Sequence, residues 1–205
     1  MTAATLAAHA KGSTLRSTLR YVEAQHGPAA VEDVLARLSP DDRSRIESVA
    51  ATDEVPMELL RALWSAVEHS IGRRDAGWPE NSGAFSIQSS GMQLYGGILR
   101  KKDPLEFLSQ PVSLFRLYYQ PGNMEVVEAE PGRAVLRLVG FPGDPVFCRR
   151  QTGGLVRAVE LAGGTTPSVR HVRCSVEGDA FCEWELSWEA PAAPAPAPAA
   201  SAPPR

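Results

Sequence analysis

The sequence predicts an α+β fold in which a block of helices packs on a small antiparallel sheet. Two observations carry this prediction. In the first half of the chain, apolar residues recur three and four positions apart, which is typical of amphipathic helices. In the second half, short alternating runs separated by Pro-Gly and Gly-Asp turns indicate strands, and one helical pattern interrupts them. The second half therefore has the order strand-strand-helix-strand-strand.

Three helices are predicted at the start of the chain. The first has its apolar face at Leu15, Leu19 and Val22. It ends at Gly27-Pro28, because this pair does not continue a helix. The second helix carries an apolar stripe that consists of Val31, Val34, Leu35 and Leu38. A third helix starts at Ser39-Pro40-Asp41-Asp42, where a capping serine precedes a proline and two acidic residues.

The strongest apolar stripe belongs to a fourth helix, which ends at Gly72. It consists of Leu59, Leu60, Leu63, Trp64, Val67 and Ile71. A loop is predicted over residues 73–82 and a helix over residues 85–99. Small residues in that helix would let another helix or a ligand approach closely, and they are Gly91, Gly96 and Gly97. One more helix is predicted from Asp103-Pro104 to about Tyr118.

The strands of the second half are predicted from alternation and turn residues. Pro131-Gly132 joins the first two strands, and a turn around Gly178 joins the last two, since glycine adopts the positive φ that tight turns require. The predicted elements are strands 124–130 and 134–140, a helix 146–161, and strands 168–174 and 180–188. One face of the last strand holds Cys182, Trp184, Leu186 and Trp188.

The chain is predicted to form one domain. Its 205 residues are 43% hydrophobic and 22% charged, which is ordinary for a globular protein. Residues 1–12 are expected to be a flexible start, residues 13–189 a single ligand-binding-like α+β domain, and residues 190–205 a disordered Ala/Pro tail. Such a tail cannot bury enough apolar surface to offset the ordering of its backbone.

Composition and missing motifs argue against several classes of function. The net charge is −3 and Lys and Arg form no basic stripe, so no nucleic-acid partner is expected. The first residues lack the apolar region of a signal peptide, and no apolar run could span a bilayer, so we expect a cytoplasmic protein without membrane contact. No phosphate-binding loop, G-x-S-x-G or H-E-x-x-H motif occurs, so an enzyme is not expected.

The three cysteines are the residues that point most directly to chemistry. Cys148 opens the predicted helix of the second half, and Cys174 and Cys182 flank the turn centred on Gly178. Facing residues on one side of a hairpin have Cβ atoms roughly 4.5–5.5 Å apart. That distance suits two thiolate ligands of one metal ion, or a disulfide. The plain alternative is that all three are buried thiols that serve as small apolar residues.

His171 lies three residues before Cys174 in the same predicted strand. Because side chains alternate between the two faces of a strand, this odd spacing places His171 on the face opposite Cys174. We therefore expect His171 to be a histidine of the sheet surface and not a metal ligand.

Several segments of the second half resemble the vinyl-four-reductase domain. They are Pro145-Val146-Phe147-Cys148, Gly153-Gly154-Leu155 and the hairpin from Cys174 to Trp184. They reproduce a cysteine that opens a Gly-containing helix and a Cys–Gly-Asp–Cys hairpin followed by an aromatic residue, and the resemblance covers residues 117–189. The whole chain is also similar to a myxobacterial family of paralogues of unknown function, through the helix start at Asp103-Pro104.

The resemblance implies a fold related to the haem nitric-oxide-binding domains and to TRAPP trafficking subunits. In the phenol- and xylene-responsive bacterial activators, the same cysteine spacing belongs to a zinc site that a carboxylate completes. Carried over to this sequence, the thiolate ligands are Cys148, Cys174 and Cys182, and the nearest carboxylate is Glu128. A closed zinc site of this kind is structural. Haem is not expected, because the Tyr-x-Ser-x-Arg signature of haem nitric-oxide sensors is absent.

The predicted function is that of a sensory or regulatory domain that binds a small apolar or aromatic molecule and carries a structural zinc ion. The aromatic residues that could line its pocket, or only fill the core, are Trp64, Tyr95, Phe107, Phe115 and Tyr118. A homodimer and a separate output protein are the expected partners. The alternative is a non-enzymatic homodimeric interaction or scaffold module without a ligand. A third interpretation is a thiol redox switch that forms a Cys174–Cys182 disulfide.

Overall fold

The structure is a computed structural model that describes residues 7–91, 104–108 and 111–189. Tyr95, with much of the predicted helix 85–99, lies outside the described residues, and so does the predicted tail 190–205. The order of the described elements confirms the predicted α+β class. Helices come first, and the second half has the strand-strand-helix-strand-strand order.

The first half of the chain forms a helical block, and its apolar stripes face one another. Its helices are α1 (Gly12–His26), α2 (Pro28–Ala36), α3 (Pro40–Ser48), α4 (Met57–Ile71) and α5 (Trp78–Ser86). The start of α3 is capped as predicted, because the Ser39 hydroxyl accepts a hydrogen bond from the Asp42 N–H at 3.1 Å. The predicted apolar stripe of α4 is buried against α1 and α2.

A three-stranded sheet joins the start of the chain to its middle. The strand β1 (His9–Lys11) lies between β2 (Glu54–Pro56) and β3 (Tyr119–Gln120) and is antiparallel to both. The expectation of a flexible start over residues 1–12 is therefore wrong for this strand. Its order comes from backbone hydrogen bonds to segments far away in sequence and from the burial of Ala10, which no local pattern reveals.

The helix α5 occupies a segment that the sequence predicts partly as a loop, over residues 73–82. The Trp78 indole at its start is fully buried, and its Nε1–H donates to Glu68 of α4 at 2.5 Å. Pro79 suits the first turn of a helix. Packing against α1 and against the later helix Pro145–Leu161, together with the hydrogen bond to Glu68, thus supplies the stabilisation that the weak periodicity of this segment does not. After α5 the chain continues as a π-helical turn from Ile87 to Gly91.

The helix predicted from Asp103-Pro104 to about Tyr118 is represented by two described helices. They are α6 (Pro104–Leu108) and α7 (Pro111–Tyr118), and the two residues between them lie outside the described ones.

The second half forms a four-stranded antiparallel sheet with the strand order β4-β5-β7-β6. The strands are β4 (Asn123–Glu130), β5 (Arg133–Val139), β6 (Thr165–Arg173) and β7 (Cys182–Glu189). Both predicted hairpins are present, with Gly132 and Gly178 at positive φ in their turns. The predicted inner face of β7 is buried, and it consists of Cys182, Trp184, Leu186 and Trp188.

The helix α8 (Pro145–Leu161) runs between β5 and β6 and ties the sheet to the helical block through α5. A Cβ atom at Gly83 of α5 would lie 2.0 Å from the carbonyl oxygen of Arg150, and one at Gly153 would lie 2.0 Å from that of Glu80. Only glycine fits at these two positions, so the backbones of α5 and α8 are in direct contact. Neither glycine is among those that the sequence singled out for a close approach.

A single cluster of buried apolar side chains extends from the helical block into the sheet. The indoles of Trp64, Trp78 and Trp184 are its largest fully buried members. The two halves therefore share one core. No helix among the described residues is long and apolar enough to cross a membrane.

Candidate metal centre

The first turn of α8 fixes the position of Cys148. The Asp144 carboxylate accepts a hydrogen bond from the Phe147 N–H at 3.0 Å, and the Asp144 carbonyl accepts one from the Cys148 N–H at 3.0 Å. Pro145 occupies the first position of the helix, where a missing N–H costs nothing. Cys148 is thus buried in the first turn of α8.

The β6–β7 turn fixes the two other cysteines. The backbone N–H of Cys174 donates to Asp179 Oδ2 at 2.8 Å, and the N–H of Asp179 donates back to the Cys174 carbonyl at 3.1 Å. Gly178 adopts a φ of 104° in this turn. Arg173 pairs with Glu183 in the ladder, and this register places Cys174 next to Cys182, as the symmetry of the two cysteines about Gly178 predicts.

The prediction for His171 is wrong, because the strand β6 carries a bulge. His171 pairs with Trp184 and Arg173 pairs with Glu183, so Val172 is an extra residue without a partner. The bulge shifts the alternation by one and brings His171 to the face of Cys174. The side chain that turns outward instead is Val172, which is 39% exposed.

The three predicted cysteines and His171 form one compact group. Their ligand atoms all lie within 4.8 Å of one another. The sulfur atoms of Cys148 and Cys182 are 3.8 Å apart, and all three thiols are free and buried. In a tetrahedral site with Zn–S bonds of about 2.3 Å, two sulfur ligands lie about 3.8 Å apart. The Nε2 atom of His171 is buried and has no hydrogen-bond partner among the described residues.

Glu128, the carboxylate expected as the fourth ligand, lies elsewhere on the sheet. It pairs with Val135 in the ladder, whereas the β5 partner of Cys182 is Leu138. Three residues of strand separate these positions by about 10 Å. The Glu128 side chain is 53% exposed and forms an ion pair with Arg133 at 3.3 Å. The group that the structure describes is therefore three cysteines and a histidine, and not three cysteines and a carboxylate.

The contact between Cys148 and Cys182 shifts the pKa values of the two thiols in opposite directions. The hydrogen bond with Cys148 lowers the pKa of Cys182 to about 4, with help from the N–H and hydroxyl of Ser175, which lie 3.4 Å and 3.2 Å from the Cys182 sulfur. The same hydrogen bond with Cys182, followed by burial, raises the pKa of Cys148 well above its ordinary value.

A chain of hydrogen bonds connects the helix to the sheet beside this group. The Trp184 indole N–H donates to the Thr152 hydroxyl at 2.9 Å, and the Thr152 hydroxyl donates to the Cys148 carbonyl at 3.0 Å. Such outer contacts hold ligand-bearing backbone in place. Three soft thiolates and an imidazole, buried and converging on one point, are a donor set that could bind a divalent metal ion.

The spacing of His171 and Cys174 is the one sequence signal that could have identified the histidine. Two ligands separated by two residues are common in zinc sites, and that signal competes with the rule of alternating strand faces. The rule fails at a bulge. Nothing in the residues around Val172 marks a bulge without its partner strand.

The five predicted pocket residues do not converge on one place in the described structure. Trp64 is buried on α4, and Phe115 packs in an aromatic group with Tyr119, Phe141 and Phe147. Tyr118 is half-buried and lines a crevice of about 10 Å³ beside β1. Phe107 lies on α6, with a side chain outside the described ones, and Tyr95 is outside the described residues altogether.

Solved structures with a similar fold are H-NOX proteins. The H-NOX protein of S. oneidensis in the Fe(II)NO ligation state is 16% identical and has a TM-score of 0.69 over 87% of this chain and 99% of that chain. The unliganded Fe(II) H-NOX protein of K. algicida is 12% identical, with a TM-score of 0.68 over 89% of this chain and 98% of that chain.

A third similar structure is an oxygen-binding H-NOX domain related to soluble guanylate cyclases, with 12% identity and a TM-score of 0.65 over 88% of this chain and 96% of that chain. No family model and no curated protein matches the sequence. Likeness at this identity concerns the fold, and it confirms the predicted relation to haem nitric-oxide-binding folds. The relation to TRAPP subunits stays a prediction.

The described histidines of this chain do not fit an axial haem ligand. The sequence has four histidines. His26 pairs with Asp75 at 3.1 Å, His69 lies exposed against the Ser65 carbonyl, and His171 belongs to the sulfur group. His9 borders a crevice of about 10 Å³ beside β1. The likeness to H-NOX proteins thus concerns the fold, and three of the four histidines make contacts of another kind.

Proposed function

We propose that this chain is a sensory domain that binds a small, largely apolar molecule, and that a structural zinc ion fixes its sheet to its helices. The observation that carries the zinc assignment is the convergence of Cys148, His171, Cys174 and Cys182 on one point. The first comes from the start of α8, and the other three come from the β6–β7 hairpin. One ion bound by all four side chains would link the start of α8 to the β6–β7 hairpin.

Geometry and donor chemistry support zinc in this position. The 3.8 Å separation of the Cys148 and Cys182 sulfur atoms is that of two ligands in a tetrahedral zinc site. Three cysteines and one histidine fill all four positions, so no open position remains for a substrate or a catalytic water. Burial of all three thiols agrees with a structural role. Catalysis at this ion is therefore not part of the proposal.

The sensory part of the proposal is supported by the fold. The similar structures are H-NOX proteins, which are described with NO and oxygen complexes, and the likeness extends over nearly nine-tenths of this chain. The resemblance of the cysteine hairpin to the vinyl-four-reductase domain supports a ligand that is not haem. An apolar organic molecule, bound between the helical block and the sheet, is the ligand class that both observations favour.

Elemental analysis of the untagged protein, with Cys174→Ser measured beside it, tests the zinc. About one zinc ion per chain, lost in the variant, is the expected result. Protein without metal in which all three thiols react freely would contradict it.

Thermal unfolding in the presence of aromatic and aliphatic compounds tests the sensory function. A ligand that binds only the folded state raises the melting temperature, and the rise grows with the logarithm of the ligand concentration relative to its Kd. An apolar ligand is expected to raise it, whereas an unchanged melting temperature across the whole set would favour the alternative of an interaction module.

A further inference from the structure

Arg150 is a charged side chain at the centre of the molecule. It lies on the second turn of α8 and is only 5% exposed. One of its Nη atoms donates to the hydroxyl of Ser82 on α5, and its guanidinium lies over the indole of Trp64 on α4, 5.4 Å from the ring. The Tyr119 hydroxyl is a third neighbour. Arg150 thus sits where α4, α5, α8 and β3 meet.

No carboxylate neutralises this cation in the part of the chain that the structure describes. Ser82 and Trp64 are neutral, and burial raises the pKa of Tyr119, so its phenol also stays neutral. Outside the described residues, the sequence contains one acidic residue, Asp103. A guanidinium stays protonated in proteins, and an unpaired buried charge is strongly destabilising. Among the described residues, Arg150 therefore has no counter-ion.

Two hydrogen-bond donors at this position also lack acceptors. The Nε atom of Arg150 and the Nε1 atom of Trp64 are both buried without a partner among the described residues. Each unsatisfied buried donor costs about 1–3 kcal/mol. The guanidinium thus lacks a negative charge beside it, and the two N–H groups lack an acceptor. One anionic oxygen group beside the guanidinium would supply both.

Apolar aromatic side chains adjoin this polar position. The ring of Tyr119 packs at 5.0 Å from that of Phe147, at 5.7 Å from that of Phe141 and at 5.6 Å from that of Phe115. A molecule with an anionic end at Arg150 and an apolar body would therefore meet complementary surroundings at both ends. One cation matches the single charge of a carboxylate better than the double charge of a phosphate.

We propose that the molecule bound by this domain is an apolar carboxylic acid, whose carboxylate pairs with the Arg150 guanidinium and accepts the Trp64 indole N–H. This inference rests on the proposed sensory function and specifies the ligand class. It also explains why this cation is buried without a carboxylate partner among the described residues. The ligand completes the charge pair, so its binding removes two unsatisfied donors and one uncompensated charge from the core.

Calorimetric binding of two matched pairs of compounds to the full chain tests this. The pairs are 1-naphthoate with 1-naphthalenemethanol and decanoate with 1-decanol, and they distinguish an aromatic from an aliphatic acid. We expect at least one acid to bind more tightly than its alcohol. Arg150→Met should weaken that acid at least about thirtyfold, which corresponds to about 2 kcal/mol, and should leave the alcohol unchanged. Arg157→Met, on the same helix but ion-paired to Glu160, should change neither.

A second variant keeps the test decisive where Arg150→Met does not fold. Trp64→Phe removes the indole N–H and keeps an aromatic ring, so it should weaken the acid selectively. Alcohols that bind as tightly as their acids would contradict the proposed role of the carboxylate and would leave the proposed sensory function unaffected. Acid binding that neither variant weakens would overturn the role of Arg150 and Trp64. Failure of all four compounds to bind would contradict the sensory function and this inference together.

Discussion

The imidazole of His171 stacks on the indole of Trp184, with the ring centroids 4.6 Å apart and the planes 15° apart. Trp184 is the ladder partner of His171 and is itself fixed by its hydrogen bond to Thr152 at 2.9 Å. The stack holds the histidine ring beside the sulfur atoms of the hairpin. Orientation of a ligand before the metal binds reduces the entropy lost on binding, so this contact favours a tight site.

Removal of this imidazole should weaken the metal site. We expect His171→Ala to lower zinc affinity at least about a hundredfold, because even the loss of an outer contact to a ligand typically costs roughly 10- to 100-fold. Competition with a chromophoric chelator measures the affinity. Glu128→Gln is the matched control, and it should leave the affinity unchanged because Glu128 is exposed and paired with Arg133. Loss of zinc in Glu128→Gln but not in His171→Ala would restore the carboxylate as the ligand.

Removal of the metal by a chelator should destabilise the wild-type protein but not a variant that lacks one of the cysteine ligands. Binding free energy at a structural site adds to folding free energy, so a strong chelator should lower the melting temperature. Cys182→Ser should melt at a lower temperature from the outset and should not respond to the chelator. Differential scanning calorimetry provides the comparison, and an equal response of both proteins would place the metal elsewhere.

The contact between α5 and α8 should tolerate alanine at one glycine and not at its neighbour. A Cβ at Gly153 would lie 2.0 Å from the Glu80 carbonyl oxygen, so Gly153→Ala should cost about 1–3 kcal/mol or more of unfolding free energy. At Gly154 the nearest atom is a side-chain carbon of Ile87 at 3.4 Å. Gly154→Ala should be neutral or stabilising by up to about 1 kcal/mol, since alanine favours the helix.

Urea denaturation of both glycine variants measures this difference directly. Equal stability of the two would mean that α5 and α8 lie further apart than the structure places them. Because both substitutions add the same methyl group to the same helix, the difference between them isolates the close contact.

Replacement of Arg150 should not destabilise the ligand-free protein. Breaking a buried ion pair costs about 3–5 kcal/mol, because it leaves one charge uncompensated. Arg150 has no such partner among the described residues, so Arg150→Met removes an uncompensated charge and should leave the unfolding free energy unchanged or higher. Urea denaturation without added ligand measures it. A loss of about 3 kcal/mol or more would show that a protein group already neutralises Arg150.

Local patterns were sufficient for much of the fold. The stripe of α4, the serine cap of α3 and the turns at Gly132 and Gly178 depend on residues within a few positions of each other, and all of them are present. Symmetry about Gly178 was enough to place Cys174 beside Cys182. Such features can be predicted because backbone sterics and capping act over one or two turns of chain.

Contacts between distant segments decided the rest. β1 is ordered by strands far away in sequence, and α5 packs mainly on α8, which follows it by about 60 residues. The bulge at Val172 depends on the register with β7, and it is what brings His171 into the cysteine group.

An α+β chain with three cysteines that a hairpin and a helix bring together follows from the sequence alone. That a histidine and not Glu128 completes the group, and that Arg150 is buried without a carboxylate partner among the described residues, depends on the tertiary structure. The physical reason is the same in both cases. Side-chain periodicity states which face a residue occupies within its own element, whereas ligation and charge compensation depend on what another element places opposite that face.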